Sequence, residues 1–275
     1  MRLVHQKILR ITPLVPADTF AVDLAMKAEV LAKDVNSLTE KGRLIQRDLD
    51  VHEVAAKNVN QHMEKNARRS YKSEWKMTDE SYHKFLKMIR KRGHGGVFEH
   101  GVLYVEAMMD RGESHEWVRH RIASHLQEST RYCDYLDGHV EFVVPVELEH
   151  VIPDGMLFDS ENTDPEQVIG DLGLDGEKYA DDVIVPTTVS YFRSCAFTEC
   201  EYRYLRSLGR KPQYARGCLT NWLKTEVGMT INLNSLRNFL TLRTAPAAHP
   251  QFRPLAQTIL DYCRKHYPEV VEDIG

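Results

Sequence analysis

The chain has 275 residues, 42% of them hydrophobic and 28% charged, with a formal net charge of -4. That is the make-up of an ordinary globular protein with ample material for a core. The acidic balance excludes a dedicated nucleic-acid binder, which carries a net basic domain, but leaves room for a local basic pocket that takes a small anion. No apolar run approaches the roughly 20 residues that span a bilayer. The first residues lack the apolar segment and cleavage site of a signal peptide, so a cytoplasmic protein is expected.

Taken in order, Lys7 to Leu14 read as a first strand, stopped by Pro13 and Pro16. From about 19 to 65 the sequence reads as helix, broken near 34–37, where Ser37 and Glu40 resemble a capping box. Between Thr78 and Arg92, the spacing of Tyr82, Phe85, Leu86 and Ile89 predicts an amphipathic helix. Gly93-His-Gly-Gly-Val-Phe-Glu-His100 ends it, with glycines that suit a C-cap and a loop whose backbone approaches a ligand. His94, Glu99 and His100 invite a metal reading, but their spacing is not a zinc pattern and no cysteine pair accompanies them. Helix-end histidines are the preferred reading, and no metal is expected. Gly101 to Met109 is strand-like.

The stretch from Arg119 to Tyr132, Arg-His-Arg-Ile-Ala-Ser-His-Leu-Gln-Glu-Ser-Thr-Arg-Tyr, dominates the middle of the chain. Trp117, Val118, Ile122, Ala123 and Leu126 fall at helical spacing and predict a helix for its first half. Arg119 and Arg121 would then lie about 200° apart around the axis, too far for one face. From Gln127 an extended chain would align Gln127, Ser129 and Arg131, a row of amide, hydroxyl and guanidinium that suits a phosphate. The competing reading is a solvated basic helix followed by a polar turn.

Beyond it, Val140 to Pro145 is a strand. Residues 147–185, rich in Asp, Glu, Gly and Pro, read as an acidic surface insertion with some helix. Two helices are expected near Thr187–Leu208 and Pro212–Lys224, punctuated by Gly209. A strand near Glu226–Ile231 follows, then helices near Asn234–Leu242 and Pro250–His266. The five cysteines (Cys133, Cys195, Cys200, Cys218, Cys263) form no C-x-x-C pair and read as reduced thiols. Cys133 adjoins the central stretch, but no general base is identifiable beside it. No glycine-rich nucleotide loop appears.

Together these segments resemble the flavin-dependent thymidylate synthases. Arg119-His-Arg-x-x-Ser, Ser129-x-Arg-Tyr132 and the spacing between them match that family's R-H-R-x-x-S-x-N-E-x-S-x-R-Y signature at all but two positions. Ala67-Arg-Arg-Ser70, Gly93–His100, Asn238-Phe-Leu-Thr-Leu-Arg243 and Ala248-His-Pro-Gln-Phe-Arg253 stand around it in the family's order. The resemblance covers about residues 66–260. It implies an α/β (α+β) fold with a central mixed or antiparallel sheet flanked by helices. Residues 1–275 would form a single catalytic domain, carrying a helical insertion at about 19–65 and the acidic one at about 147–185. It further implies a homotetramer with active sites between subunits, FAD and NADPH, 5,10-methylenetetrahydrofolate as carbon donor, and dUMP methylated at C5 to dTMP without attack by an enzyme cysteine.

Carried over by position, Arg119, His120 and Arg121 would contact flavin, with Arg119 also reaching the nucleotide. Gln127, Ser129, Thr130 and Arg131 would form the phosphate and sugar pocket, with Gln127 also near the cofactor. Arg243 and the segment to His249 would line the flavin, His94 and Gly96 would stand near it, and Arg253 would hold the pyrimidine as its N3-deprotonated form. Four departures stand out. Leu126-Gln127 replaces Asn-Glu, Gly96 replaces a small hydroxyl residue, and Glu116 stands where a glutamine is usual. Glu226 aligns with a pocket arginine, unless Lys224 or Arg237 compensates or the alignment shifts by one residue. A carboxylate pairs with the exocyclic amine of cytosine, so a cytosine nucleotide (dCMP or CMP) is an alternative acceptor, and the ribonucleotide UMP another, either methylated or hydroxymethylated. A catalytically inactive flavin- or nucleotide-binding homologue is a further alternative.

Overall fold

The computed structural model describes residues 1–14, 40–136, 138–176 and 183–275, of which 40–51 are described by their backbone alone. The expected helix break near 34–37 and its capping box at Ser37 lie outside the described residues. Strands β1 (Arg2–Val4) and β2 (Lys7–Leu14) open the chain, followed by the long helix α1 (Glu40–Arg69) and helix α2 (Ser81–Lys91). Strand β3 (Val102–Asp110) runs into helix α3 (Arg111–Trp117), and strand β4 (Ala123–Gln127) follows. Then come β5 (Glu141–Val143), α4 (Gln167–Asp171), α5 (Ile184–Ser207), α6 (Pro212–Ala215), β6 (Lys224–Asn232), α7 (Leu233–Arg243), α8 (Arg253–His266) and α9 (Pro268–Val271). This is a mixed α/β chain with an antiparallel sheet flanked by helices.

The main sheet has four strands in the order β2-β3-β6-β4, and β1 pairs in parallel with β5. Hydrogen bonds from Arg111 N to Leu223 O and from Leu233 N to Gly101 O bracket β3 and β6 and make them antiparallel. Strand β6 alternates cleanly: Thr225, Val227, Met229 and Ile231 are buried, while Lys224, Glu226, Gly228 and Thr230 are half-exposed. A period of two with one face buried fixes the register, because a one-residue slip would bury the charged set.

Two compact units make up the described chain. The first comprises Met1–Lys7, Ala107–Arg119 and Leu126–Gly228; the second comprises Ile8–Glu106, His120–His125 and Met229–Gly275. Leu3, Phe142, Val144, Leu148, Ile152, Phe158 and Phe192 lie in the core of the first. The acidic stretch is therefore no mere surface insertion: its carboxylates are mostly at the surface, but Leu148, Ile152, Phe158 and Val168 are core residues. In the second unit α1 buries Val54, Ala55, Val59 and Met63. Gly101 permits close packing there, since a Cβ on it would meet Leu233 Cδ1 at 2.6 Å and Met63 Sδ at 2.8 Å. Gly93 caps α2 with φ +71°, as its place in the sequence suggests.

Three further sequence expectations fail. The helix expected through Arg119–Leu126 stops at Trp117, and the chain turns before entering β4. Ile122 and Leu126, which suggested the helical spacing, are 72% and 83% exposed, so they mark no buried helical stripe. The extended row expected from Gln127 also ends at Gln127; Thr130–Tyr132 is a turn. The helix expected to reach Lys224 is short, because after Ala215 the chain forms a 3-10 turn at Arg216–Cys218 and Lys224 already belongs to β6.

Candidate active site

The signature stretch divides between two clusters of polar side chains, one in each unit. In the first unit, Asp110 caps α3 by accepting from Glu113 N at 2.7 Å. The helix carries Glu116, half-buried, and Arg119 follows it with an exposed side chain and its amide bonded to Glu116 O. Gln127 donates to Ser114 Oγ at 2.7 Å and to Thr225 Oγ1 at 3.2 Å. The glutamine amide supplies both protons here, whereas a carboxylate at the same position could only accept from these hydroxyls. The tight turn that follows is closed by Tyr132 N and Cys133 N on Ser129 O, with Arg131 N on Ser129 Oγ. Arg131 is exposed and lies 5.4 Å from the Tyr132 ring centroid. Thr130 is buried.

Glu226 stands on the other face of the β4–β6 pair. Its carbonyl accepts from Glu128 N, which puts residues 128 and 226 opposite each other and side by side on one face. Gln127 shares the buried face with Thr225. The Glu226 carboxylate is held by Lys224 at 2.7 Å, and Lys224 also reaches Glu141 at 3.3 Å. Burial alone would lower the pKa of Lys224, but its hydrogen bond to Glu226 and the charges of Glu128, Glu226 and Glu141 raise it above the usual lysine value. Lys224 therefore neutralises the carboxylate at 226, whereas Arg237 does not: it pairs with Asp273. Tyr135 donates to Glu128 at 2.9 Å, and burial together with that carboxylate raises its pKa and keeps it protonated.

In the second unit the buried His120 is the centre. Arg243 Nε donates to His120 Nε2 at 2.8 Å. A guanidinium has no acceptor, so Nε2 must be unprotonated and the imidazole neutral with its proton on Nδ1. Phe239 packs edge-on against His120 at 4.7 Å, and Arg243 lies 4.8 Å from the Phe252 ring centroid. The His120 carbonyl accepts from Arg121 Nη1 and from His125 Nε2, both at 3.3 Å. Burial, with Arg121 beside it, lowers the His125 pKa against the opposing pull of that hydrogen bond, so His125 is neutral too. Ile122 N donates to Ser235 Oγ, tying the turn to the start of α7, which Asn232 caps through Ser235 N.

Of the remaining candidates of the second unit, His249 and Arg253 lie at the start of α8. His249 O accepts from Phe252 N and Arg253 N, and His249 Nδ1 accepts from Gln251 N. Arg253 is half-buried at the first position of α8. His94 is exposed, and a Cβ on Gly96 would meet nothing within 4 Å, so Gly96 is not held to glycine by packing. At Gly95 a Cβ would come within 2.7 Å of Asn234 Oδ1, so a larger residue there would displace the Asn234 side chain. Sequence reasoning passed over His125, Phe239, Phe252 and Arg216. His125 sits at a variable position of the signature, and the other three lack any charge pattern that distinguishes them from core or surface residues. Among the described residues no group of three or more His, Cys, Asp or Glu is arranged to hold a metal ion, and no helix is long and apolar enough to cross a membrane.

Comparison with known proteins bears on both clusters. The family model described as thymidylate synthase complementing protein matches residues 50–269. A flavin-dependent thymidylate synthase of Sulfurisphaera tokodaii is 25% identical over 203 residues, which is 72% of this chain but 64% of that protein. The chain thus spans just under two thirds of that relative's length. One from Geobacter sulfurreducens is 28% identical over 193 residues, covering 70% of this chain and 68% of its own. Among solved structures, the UMP/dUMP methylase PolB from Streptomyces cacaoi bound with 5-Br dUMP superposes with a TM-score of 0.58. It is 23% identical, with 78% of this chain and 88% of that chain covered, a likeness of fold.

Proposed function

The chain belongs to the flavin-dependent thymidylate synthase family, and from that membership we propose that it methylates a pyrimidine nucleotide reductively at C5, with dUMP as acceptor and dTMP as product. The observation that carries this reading is the composition of the two clusters. One is a neutral imidazole held by the Arg243 guanidinium and the Phe239 ring, with Arg121 on its backbone carbonyl; the other is a hydroxyl-lined turn ending in an arginine that no carboxylate ion-pairs among the described residues. The first suits a flavin dinucleotide and the second a phosphate.

The donor set around His120 fits FAD. Arg121 and Arg243 offer cationic N–H groups for a diphosphate, while the fully buried Phe239 and Phe252 fix His120 and Arg243 from behind. When bound, FAD reduced by NADPH would supply the hydride, and 5,10-methylenetetrahydrofolate the carbon. Ser129 and Arg131 hold the nucleotide's phosphate. Arg253 sets its cation at the pyrimidine edge, where it favours the ring deprotonated at N3 and raises the electron density at C5. The buried thiols do not serve as nucleophiles: burial pushes Cys263 up to about 12 and Cys195 higher still, so both stay protonated. The active form is a homotetramer.

Glu226 bears on the acceptor. Its charge is matched by Lys224, and it projects from the face opposite Gln127, which supports uracil over a base read through a free carboxylate. Incubation with FAD, NADPH and methylenetetrahydrofolate, offering dUMP, UMP, dCMP and CMP separately, is expected to give turnover with dUMP. Turnover of dCMP alone would sink the thymidylate reading.

A second outcome concerns the cofactor. Arg121→Ala removes a charge-assisted donor and is expected to weaken FAD about 10- to 100-fold, seen as loss of yellow colour on desalting. Full retention of the flavin absorbance would show that the cofactor lies elsewhere.

A further inference from the structure

We propose that Arg216, in the 3-10 turn after α6, is the second guanidinium on the nucleotide's phosphate, acting beside Arg131. The assignment rests on the acceptor being a nucleotide monophosphate.

The geometry lies within the first unit. Arg216 Nη1 donates to Thr130 Oγ1 at 3.4 Å, across 86 positions of sequence. Thr130 sits between Ser129 and Arg131 and is itself buried, so its hydroxyl is a fixed point that holds the exposed guanidinium against the turn. That one bond uses a single N–H of the five on Arg216. Neither Arg131 nor Arg216 ion-pairs with a carboxylate among the described residues. Arg203 and Arg206 of the same unit, by contrast, are paired with Glu199 and Asp134.

The turn's other donors are committed. Arg131 N, Tyr132 N and Cys133 N all bond Ser129. Lys224, the nearest cation of β6, is occupied by Glu226 and Glu141. A dianionic phosphomonoester arriving at Ser129 would meet the hydroxyl, the Arg131 guanidinium, and the Arg216 guanidinium tethered to the neighbouring Thr130, neither cation being ion-paired to a carboxylate among the described residues. Two forked cations match a phosphate geometrically, and a single one would leave one of its charges unmatched.

Titration of the flavin-loaded protein with dUMP, deoxyuridine and inorganic phosphate tests this. Arg216→Ala is expected to weaken dUMP and phosphate about 10- to 100-fold, the loss of a charge-assisted hydrogen bond, with deoxyuridine and flavin content unchanged. Arg216→Lys should recover part of the loss, because it restores the charge without the fork. Unchanged affinity of Arg216→Ala for both dUMP and phosphate overturns the proposal. So does an equal loss of dUMP and deoxyuridine, which would give Arg216 a purely structural role. If the wild-type protein binds phosphate through Arg216 but no pyrimidine nucleotide, the anion site stands and the functional reading falls. If it binds neither phosphate nor dUMP, both fall.

Discussion

Arg253→Ala is expected to lower kcat by about 100- to 1,000-fold, the usual cost of removing one preorganised charge from a developing anion, with flavin content close to wild type. Arg253 opens α8, where the helix dipole already contributes partial positive charge, and no acidic residue offsets it in the first turn. An arginine there opposes the local electrostatic preference of the helix, and such conflicts mark functional positions. The position is well fixed: Phe252 before it is fully buried, the Arg253 amide bonds His249 O at 3.1 Å, and Pro254 follows in the helix's first turn. Helix end and side chain together make a concentrated positive potential, which under the proposed reading would stabilise a pyrimidine that has lost its N3 proton. Steady-state kinetics with saturating dUMP would report the fall in kcat. Arg253→Lys should lie between the two, since it keeps the charge and loses the planar fork. Full activity of the alanine variant would move the ring-activating role to another residue.

Arg68→Ala is the change expected to cost the most stability, about 3–5 kcal/mol, because it strands a buried carboxylate. Glu64 is fully buried on α1; Arg68 binds it with Nε and Nη2 both at 2.7 Å, and Ser81 Oγ approaches both carboxylate oxygens at 2.8 Å. The guanidinium also lies 4.3 Å from the Phe85 ring centroid, so the same residue joins α1 to α2 by charge and by stacking. A fall in melting temperature of roughly 6–15 °C is expected for a protein of this size. The double replacement Glu64→Leu with Arg68→Met should recover much of it, because both charges then leave together. A single variant as stable as the wild type would mean that Glu64 is hydrated rather than buried.

Much of the fold was legible in the sequence. Lys7–Leu14 is a strand, β3 and β6 fall within a residue or two of their predicted bounds, and the glycine after α2 caps it. Each depends on local chemistry: alternation, proline and glycine punctuation, or a capping position. The stretch Arg119–Leu126 was misread because its apolar residues happen to fall at helical spacing, although Ile122 and Leu126 are exposed. The reading of 147–185 as surface failed for a related reason, since scattered single hydrophobes in an acidic, proline-rich stretch carry no period. Leu148, Ile152 and Phe158 reach the core only through the path of the loop.

By itself the sequence determined the family, through motifs whose order along the chain is a property of the chain alone. It also identified which residue types carry charge: the Arg119–Arg131 stretch, Arg243 and Arg253, and the reversal at Glu226. Only the tertiary structure decided what those charges meet. The pairing of β4 with β6 put Glu226 beside Lys224 and away from Gln127. Folding brought Arg243 onto His120 across 123 positions and Arg216 onto Thr130 across 86. The physical reason is range: propensity and periodicity act over a few residues, whereas a charge is matched or left free by whatever the fold places within a few ångströms of it.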